Sequence, residues 1–232
     1  FVVDTENPVY WSSPDGVLFN KGRTTLISCP GGKTGVYRIP DTVKEISWGA
    51  FKECAKLTQV TLPKGLTNIG DYAFADCAKL TGITLPASVV SVGYGLFFRN
   101  IELSAIAVDA ANPAYSEKSD VLFNKTGSCL VSFPAGKAGR YTVPDGVLEI
   151  ARDAFGGCLN LTSVTLPASV MRIGQDAFAR CGESLTAVYV NGDAPQVDTD
   201  VFVESKKVTV YYRPGTKGWE PTFGGRPTKE WK

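Results

Sequence analysis

Apolar positions in this chain recur in a block of 23 residues, and their spacing changes part-way through each block. In the block that starts at Leu57, Val60 and Leu62 alternate with polar Gln59 and Thr61. This alternation is the period of a half-buried β-strand. A proline follows and ends the strand, because proline cannot donate a hydrogen bond to a ladder. Each block therefore predicts one strand.

The second part of the block spaces its apolar residues more widely. The Ala73-Phe74 pair, Cys77 and Leu80 stand at positions i, i+1, i+4 and i+7, which is the spacing of one helix face. In later blocks Asp153 and Asp176 stand just before the Ala-Phe pair, where an N-cap carboxylate would accept free backbone amides. We therefore expect one short helical turn in each block.

Several columns of the block are kept in register along the chain. The repeated positions are Ala50-Phe51, Ala73-Phe74, Ala154-Phe155 and Ala177-Phe178, then Cys54, Cys77, Cys158 and Cys181, and finally Ile46, Ile69, Val92, Ile150 and Ile173. A degenerate copy at Leu96-Phe97 has Asn100 in the cysteine column. One block cannot bury these columns alone, so we expect the blocks to stack into a solenoid with a parallel β ladder and a continuous core.

Two longer units interrupt the short blocks. Residues 4–45 resemble residues 109–149, and in each segment two apolar runs flank an Asn-Lys turn. This pattern predicts β-hairpin inserts over Val17–Ser28 and Val121–Phe133. The solenoid is accordingly assigned to residues 1–186. Its long units lie near 1–45 and 106–149, and its short units cover 46–105 and 150–186.

The two ends of the chain depart from the repeat. From about Ala187 the columns are lost, and a strand candidate at Val208–Tyr212 precedes a stretch rich in glycine, proline and aromatic residues. We expect residues 187–232 to form a C-terminal capping module that covers the last unit. Phe1 aligns with Ile106, which follows a full short unit, so residues are expected to have been removed before Phe1.

The motif A-F-x-x-C-x-x-L-x-x-[V/I]-x-L-P resembles the BspA-like leucine-rich repeats. The D-G-V-L-F-N-K segment of the long units and the Tyr211–Trp219 stretch are also similar to that family. The resemblance implies a leucine-rich-repeat-type right-handed solenoid of the α/β repeat class, rich in β structure. It also implies a bacterial protein that is extracellular or attached to the cell surface, where named members are similar to adhesins. The family supplies no catalytic residues to transfer.

Charge and composition narrow the possible partners. Lys and Arg total 24 and Asp and Glu total 23, so no net field attracts nucleic acid or an anionic membrane. No apolar run is long enough to span a bilayer, which argues against direct membrane insertion. Histidine is absent, which removes the commonest general base and most catalytic zinc sites. We expect no enzyme activity, no cofactor and no metal, and a monomeric chain.

The cysteines are interpreted as packing residues. Cys54, Cys77, Cys158 and Cys181 share one column beside Phe and Leu positions, which favours buried thiols as small apolar filler. A disulfide between stacked cysteines such as Cys54 and Cys77 is the alternative, because neighbouring strands lie roughly 5 Å apart. A zinc cluster is disfavoured, because the chain has no C-x-x-C pair and no histidine.

Two further motifs have an ordinary structural explanation. Gly31–Thr34 imitates the end of a phosphate-binding loop, but the required upstream glycine is replaced by Ile27, so a turn between strands is the preferred interpretation. Asp153 and Asp176 would suit a retaining glycosidase if they were about 5 Å apart. The N-cap interpretation explains both residues without any chemistry.

Two surfaces are candidates for ligand binding. One is the polar outward face of the strands, with Gln59, Thr61 and Thr84. The other is an aromatic group just before the Ala-Phe positions. Its members are Trp48, Tyr72 and Tyr94. Aromatic residues of this kind favour interface hot spots and sugar platforms. The alternative is that they pack laterally against the hairpin inserts.

The predicted function is a non-enzymatic binding or adhesion module for a protein or a glycan. Its modest contacts would add up along the array through multivalency. The main alternative is a structural spacer or C-terminal display module of a larger surface protein, and a remote alternative is a glycan-active enzyme.

Overall fold

The chain winds into a solenoid made of two β ladders joined by corners. The structure is a computed structural model that describes residues 1–231. Within that range it has 22 strands and no helix. The strands of the first half are β1 (Tyr10–Ser12), β2 (Leu18–Asn20), β3 (Thr25–Ser28), β4 (Thr34–Arg38), β5 (Glu45–Ile46), β6 (Lys56–Thr61), β7 (Asn68–Ile69), β8 (Gly82–Leu85), β9 (Ser91–Val92) and β10 (Ala105–Val108).

The second half repeats this order and extends it. Its strands are β11 (Tyr115–Lys118), β12 (Val121–Asn124), β13 (Cys129–Ser132), β14 (Gly139–Thr142), β15 (Glu149–Ile150), β16 (Leu161–Leu166), β17 (Arg172–Ile173), β18 (Ala187–Val190), β19 (Gln196–Val197), β20 (Thr209–Tyr212), β21 (Thr222–Phe223) and β22 (Arg226–Glu230). No helix among residues 1–231 is long and apolar enough to cross a membrane.

Each turn of the solenoid, here called a rung, contributes one strand to each ladder. The longer strands form the front ladder, in which β14, β16, β18, β20 and β22 pair in parallel, and in the first half β4 pairs with β6 and β8 with β10. The short strands form the back ladder, where Ile46 aligns with Ile69 and Ile69 with Val92. These back-ladder partners are 23 residues apart, and front-ladder partners up to β20 are 22 to 24 apart, which confirms the predicted rung and the parallel ladder.

The hairpin inserts of the long units are also confirmed. Strands β2 and β3 pair antiparallel, and so do β12 and β13. Each hairpin carries a further antiparallel strand on its outer side, β1 or β11, and each continues into the back ladder through its last strand. The inserts therefore widen the back ladder of each half, and within residues 1–231 no strand of β1–β10 pairs with a strand of β11–β22.

The predicted helical turns are wrong, and the corners that contain the Ala-Phe pairs are built from tight turns instead. Two residues in each corner have left-handed backbone conformations, for example Tyr72 (φ 53°) and Asp76 (φ 57°). An α-helix needs negative φ throughout, so these positions exclude it. Asp153 and Asp176 both have φ 57°, and the N-cap assignment fails with the helix. Aspartate suits this position because its short polar side chain tolerates the left-handed region.

The corner phenylalanines form the spine of the core. Phe155 lies between Phe133 and Phe178, with ring centroids 5.1 and 4.9 Å away, and Phe51 stacks on Phe74 at 5.0 Å. The four cysteines of the repeat column are buried beside this spine as free thiols. Buried residues fall into two clusters that meet at β12, where Leu122 belongs to the first and its neighbours Val121 and Phe123 to the second.

The front ladder runs without interruption across residue 187, where the sequence analysis placed the start of a capping module. Strand β18 pairs with β16 on one side and with β20 on the other. Phe202 joins the phenylalanine column, 5.5 Å from Phe178. Ser205 takes the place of a cysteine, since its Oγ accepts from the Cys181 N–H at 2.9 Å and donates to the Phe178 carbonyl at 2.7 Å. One further rung therefore follows the last one that the sequence repeat revealed.

Candidate binding cleft

The corner of the second long unit is short. The corners of the rungs before and after it therefore come into contact with each other. Gly139 in the front ladder follows Leu130 in the back ladder by nine positions in the sequence. In the next rung, Leu161 follows Ile150 by eleven positions. The corner before the short one then reaches the corner after it. A Cβ on Gly157 would lie 2.8 Å from the backbone nitrogen of Arg99, so this close approach requires glycine.

Four side chains fasten the two halves together at this place, and we call them the clasp: Tyr72, Tyr94, Arg152 and Asp153. The Tyr72 hydroxyl donates to Asp153 Oδ2 at 2.8 Å, although the two residues are 81 positions apart. The Arg152 guanidinium carbon lies 4.0 Å from the centroid of the Tyr94 ring, in cation–π geometry. Tyr72 and Tyr94 meet edge to face at 5.4 Å. The clasp thus joins two aromatic side chains of the first half to two charged side chains of the second.

Beside the clasp lies a concave cleft of about 500 Å³, here called the corner cleft. Its polar and aromatic lining consists of Trp48, Lys52, Glu53, Asp76, Arg99, Asp176 and Arg180, together with the clasp residues Tyr72 and Asp153. Phe98, Ala75, Ala179 and Val203 supply a small apolar part of the wall. The cleft volume is within the range of small-molecule sites in proteins.

The electrostatics of the cleft depend on burial. Burial raises the pKa of the Asp153 carboxyl to about 6, and the hydrogen bond from Tyr72 and the nearby Arg152 only partly oppose this shift. Burial also raises the pKa of Tyr72, so its hydroxyl remains a donor at neutral pH. The pKa of Asp176 is raised by burial as well, and the Asp200 carboxylate contributes in the same direction.

The predicted aromatic group is divided between two roles. Trp48 lines the cleft and keeps 62% of its surface exposed, whereas Tyr72 and Tyr94 are held in the clasp. The lateral packing considered as the alternative does occur for these two tyrosines. It takes place against Arg152 and Asp153 rather than against the hairpin inserts.

The predicted polar residues lie elsewhere. Gln59, Thr61 and Thr84 line a shallow depression of about 710 Å³, here called the front groove, where β6 and β8 run side by side without pairing in the described chain. The backbones remain linked at the start, where the Thr81 N–H donates to the Thr58 carbonyl at 3.4 Å. The structure therefore separates the predicted site residues into two surfaces on different parts of the rung.

The sequence analysis did not assign to a binding site the cleft residues that come from the second half of the solenoid. Arg152, Asp176 and Arg180 stand in the same corner region of the repeat as the aromatic residues of the first half. The replacement of aromatic by charged residues there was the available signal. A second aromatic group lies on the outward face of the front ladder near the C-terminal end, where Tyr189 packs 5.0 Å from Tyr211 and 4.8 Å from Trp231.

The Gly31–Thr34 motif has a structural role. The Lys33 ammonium forms an ion pair with Asp15 and donates to the Asp15 carbonyl at 3.0 Å, which ties the corner to the hairpin. The second long unit repeats this arrangement with Lys137 and Asp120, at 2.9 Å. In residues 1–231 no group of three or more Cys, Asp or Glu side chains is placed to hold a metal ion.

Stacked rungs of 23 residues, a parallel ladder of strands and a phenylalanine spine define a leucine-rich-repeat solenoid. The family model described as "BspA type Leucine rich repeat region (6 copies)" matches residues 34–136 and 132–216. The chain belongs to this BspA-type leucine-rich-repeat family.

A solved structure shows the same fold. The crystal structure of the pneumococcal vaccine antigen PcpA is 23% identical, with a TM-score of 0.65, and the match covers 78% of this chain and 51% of that one. This chain therefore spans about half the length of that structure. A leucine-rich cell surface protein from Faecalibacterium prausnitzii is 19% identical, with a TM-score of 0.48 and coverage of 92% and 91% of the two chains. The comparison with curated proteins gave no match.

Proposed function

We propose that this chain is a non-enzymatic binding module that recognises a protein or a glycan through the corner cleft. The observation that carries the proposal is the exposed Trp48 side chain at a concave site whose walls come from both halves of the solenoid. The same repeat column holds Asp71 and Gln175 in other rungs, so the fold does not require an aromatic residue there. Exposed aromatic residues in concave sites are favoured as binding anchors.

Catalysis is a weaker explanation of the same cleft. Asp153 has the raised pKa expected of a general acid, but its side chain is 3% exposed and is engaged by Tyr72 and Arg152. A carboxyl that closes the clasp cannot also reach a glycosidic oxygen without breaking these contacts. The chain has no histidine to supply another acid or base at neutral pH. Burial, with a smaller contribution from the Asp176 carboxylate, accounts for the raised pKa of Asp153.

We further propose that the module works outside the bacterial cell or on its surface. Membership in the BspA-type family supports this location, because the resemblance implies surface or secreted proteins. The repeat architecture also suits adhesion, since a rigid row of rungs can present several weak contacts at once.

The experiment is a binding screen of the chain against immobilised extracellular-matrix proteins and a printed glycan array. Wild-type protein should bind at least one target, and Trp48→Ala should lose that binding while its thermal unfolding midpoint stays unchanged. Met171→Ala is the matched control. It removes an apolar side chain of similar exposure (68%), which lies just before β17 and does not line the corner cleft. Equal binding by wild type and Trp48→Ala would contradict the assignment of the cleft.

A structural spacer is the second candidate, and the uninterrupted front ladder from β14 to β22 favours it. Such a ladder makes a stiff support that could display another domain. An absence of binding across both panels would favour this candidate over the binding module.

A further inference from the structure

The composition of the corner cleft narrows the ligand class, on the premise that the proposed function is right. We propose that the corner cleft binds a neutral oligosaccharide, with one pyranose ring stacked on the indole of Trp48. The inference rests on the ring's exposure, the charge balance of the walls and the size of the cleft.

Trp48 offers a flat apolar surface without a role in the core. The side chain is 62% exposed, and the Lys52 ammonium lies over its ring, 5.9 Å from the ring centroid. A pyranose ring presents a flat face of C–H groups with hydroxyls around its rim. An indole face covers the C–H groups and leaves the hydroxyls to polar neighbours, in the same way that aromatic side chains combine an apolar body with a wet edge.

The polar walls balance in charge. Three cations, Lys52, Arg99 and Arg180, face three anions outside the clasp, which are Glu53, Asp76 and Asp176. Several of these charges are already paired, since Arg99 Nε lies 3.6 Å from Asp76 Oδ1 and Arg180 Nε lies 3.2 Å from Glu204 Oε1. A set of charges that balances in sign and is partly paired attracts neither polyanions nor polycations. The same groups supply the donors and acceptors that neutral hydroxyls need.

Size and polarity exclude two other ligand classes. A stable protein interface buries about 800 Å² on each partner, and a cleft of about 500 Å³ engages only a small part of such a surface. Its apolar wall is limited to the edges of Phe98, Ala75, Ala179 and Val203, which is too little for a lipid chain. A ligand with one apolar face and many hydroxyls fits both limits.

The test uses an array of neutral, sialylated and sulfated oligosaccharides, followed by titration calorimetry with the neutral glycan that gives the strongest signal. We expect binding to neutral glycans, a loss of at least tenfold in affinity for Trp48→Ala, and a smaller loss for Trp48→Phe, which keeps an aromatic face. Asp176→Asn should weaken binding a few-fold by removing an acceptor charge. Met171→Ala should bind like wild type.

Trp231→Ala separates this site from the aromatic group on the front ladder. If Trp231→Ala abolishes glycan binding and Trp48→Ala does not, the proposal is overturned. Binding confined to sulfated or sialylated glycans would overturn it as well. If the array is silent but a deglycosylated matrix protein binds and Trp48→Ala loses it, the ligand class is wrong while the binding function stands. Silence in both panels would refute both.

Discussion

The two halves of the solenoid use the same repeat columns for opposite chemistry. Just before the Ala-Phe pairs, the first half carries Trp48, Tyr72 and Tyr94, whereas the second half carries Arg152 and Asp153 in these columns. Four of these five side chains are half-buried or exposed, and only Asp153 is buried, so the phenylalanine spine does not dictate an aromatic or a charged residue there. The aromatic side chains of the first half and the charged side chains of the second are complementary, because a short corner brings them into direct contact.

The front ladder differs between the halves as well. In the second half β16 and β18 are paired, and Val164 and Leu166 are fully buried. In the first half β6 and β8 are unpaired within residues 1–231, and Leu62 retains 8% exposure. Gly82 stands where the other rungs have Ser163, Ala187 or Ala105, and it provides no side chain to pack over the gap.

Truncation of the phenylalanine spine should have the largest effect. We expect Phe155→Ala to lower the free energy of unfolding by roughly 3–5 kcal/mol, because both neighbouring rings lose a contact and a cavity remains. Phe74→Ala should cost less, since its ring lies 5.9 Å from Phe97 on one side, against 4.9 Å between Phe155 and Phe178. Urea unfolding measures both. A larger loss for Phe74→Ala would show that the first half is the better packed.

The clasp should make stability depend on pH. Asp153 has a folded-state pKa raised from 3.8 to about 6 by burial, so the native state holds this proton more tightly than the unfolded state. Its stabilising contribution is present below the unfolded pKa of 3.8 and is lost as pH rises through about 6. The loss should be on the order of 2–3 kcal/mol. Asparagine accepts the left-handed conformation, so Asp153→Asn should flatten this decline.

Unfolding measured from pH 4 to pH 8 for wild type and Asp153→Asn provides the comparison. Asp176→Asn is the matched control, because Asp176 occupies the same corner column in the next rung and is less buried. It should change the pH profile less. Parallel profiles for wild type and Asp153→Asn would mean that the carboxyl does not titrate in this range.

The hydrogen bond across the clasp should have an intermediate effect. Tyr72→Phe removes the donor to Asp153 and leaves a buried carboxyl with fewer partners, which should cost about 1–3 kcal/mol. A double-mutant cycle with Asp153→Asn measures the coupling between the two residues. Additive losses would show that the contact between Tyr72 and Asp153 does not couple the two halves, which the Arg152–Tyr94 contact and packing would still join.

The smallest effect is expected from closing the gap in the front ladder. A Cβ on Gly82 would have its nearest neighbour, the Ala105 carbonyl oxygen, at 3.6 Å, an ordinary contact. Gly82→Ala should therefore stabilise the chain by about 0.4–1 kcal/mol through the unfolded state. Gly93→Ala is the opposite control, since its Cβ would lie 2.3 Å from the Asp71 nitrogen. Destabilisation by Gly82→Ala would show that the opening is built into the fold.

The strands, the rung length and the hairpins could be predicted because period-two alternation and repeated columns are local signals. The corner conformation could not, because apolar residues at i, i+1 and i+4 suit both a helical turn and a double tight turn. The sign of φ decides between them. The sequence did contain a signal for positive φ, because the column of Tyr72 and Asp153 holds Gly49 and Gly95 in other rungs. Glycine commonly marks left-handed positions.

The clasp lies beyond sequence reasoning for a different reason. Tyr72 and Asp153 are separated by 81 residues, and they meet only because the intervening corner is short and Gly157 permits close approach. The last rung was missed because Ser205 replaces cysteine and Val201 replaces alanine. Both substitutions preserve the packing and hydrogen bonding of the column, but the repeat motif can no longer be recognised in the sequence.

The unpaired boundary between β6 and β8 has a mechanical consequence. Tension along the solenoid axis loads the rungs in series, and at this boundary the back ladder and the corners carry the load, because the front ladder is unpaired there. That interface lies inside the first half, on the side of the clasp away from the continuous ladder of β14 to β22. Parting the two rungs there would carry Trp48, Lys52 and Glu53, which lie between β5 and β6, away from the rest of the corner cleft.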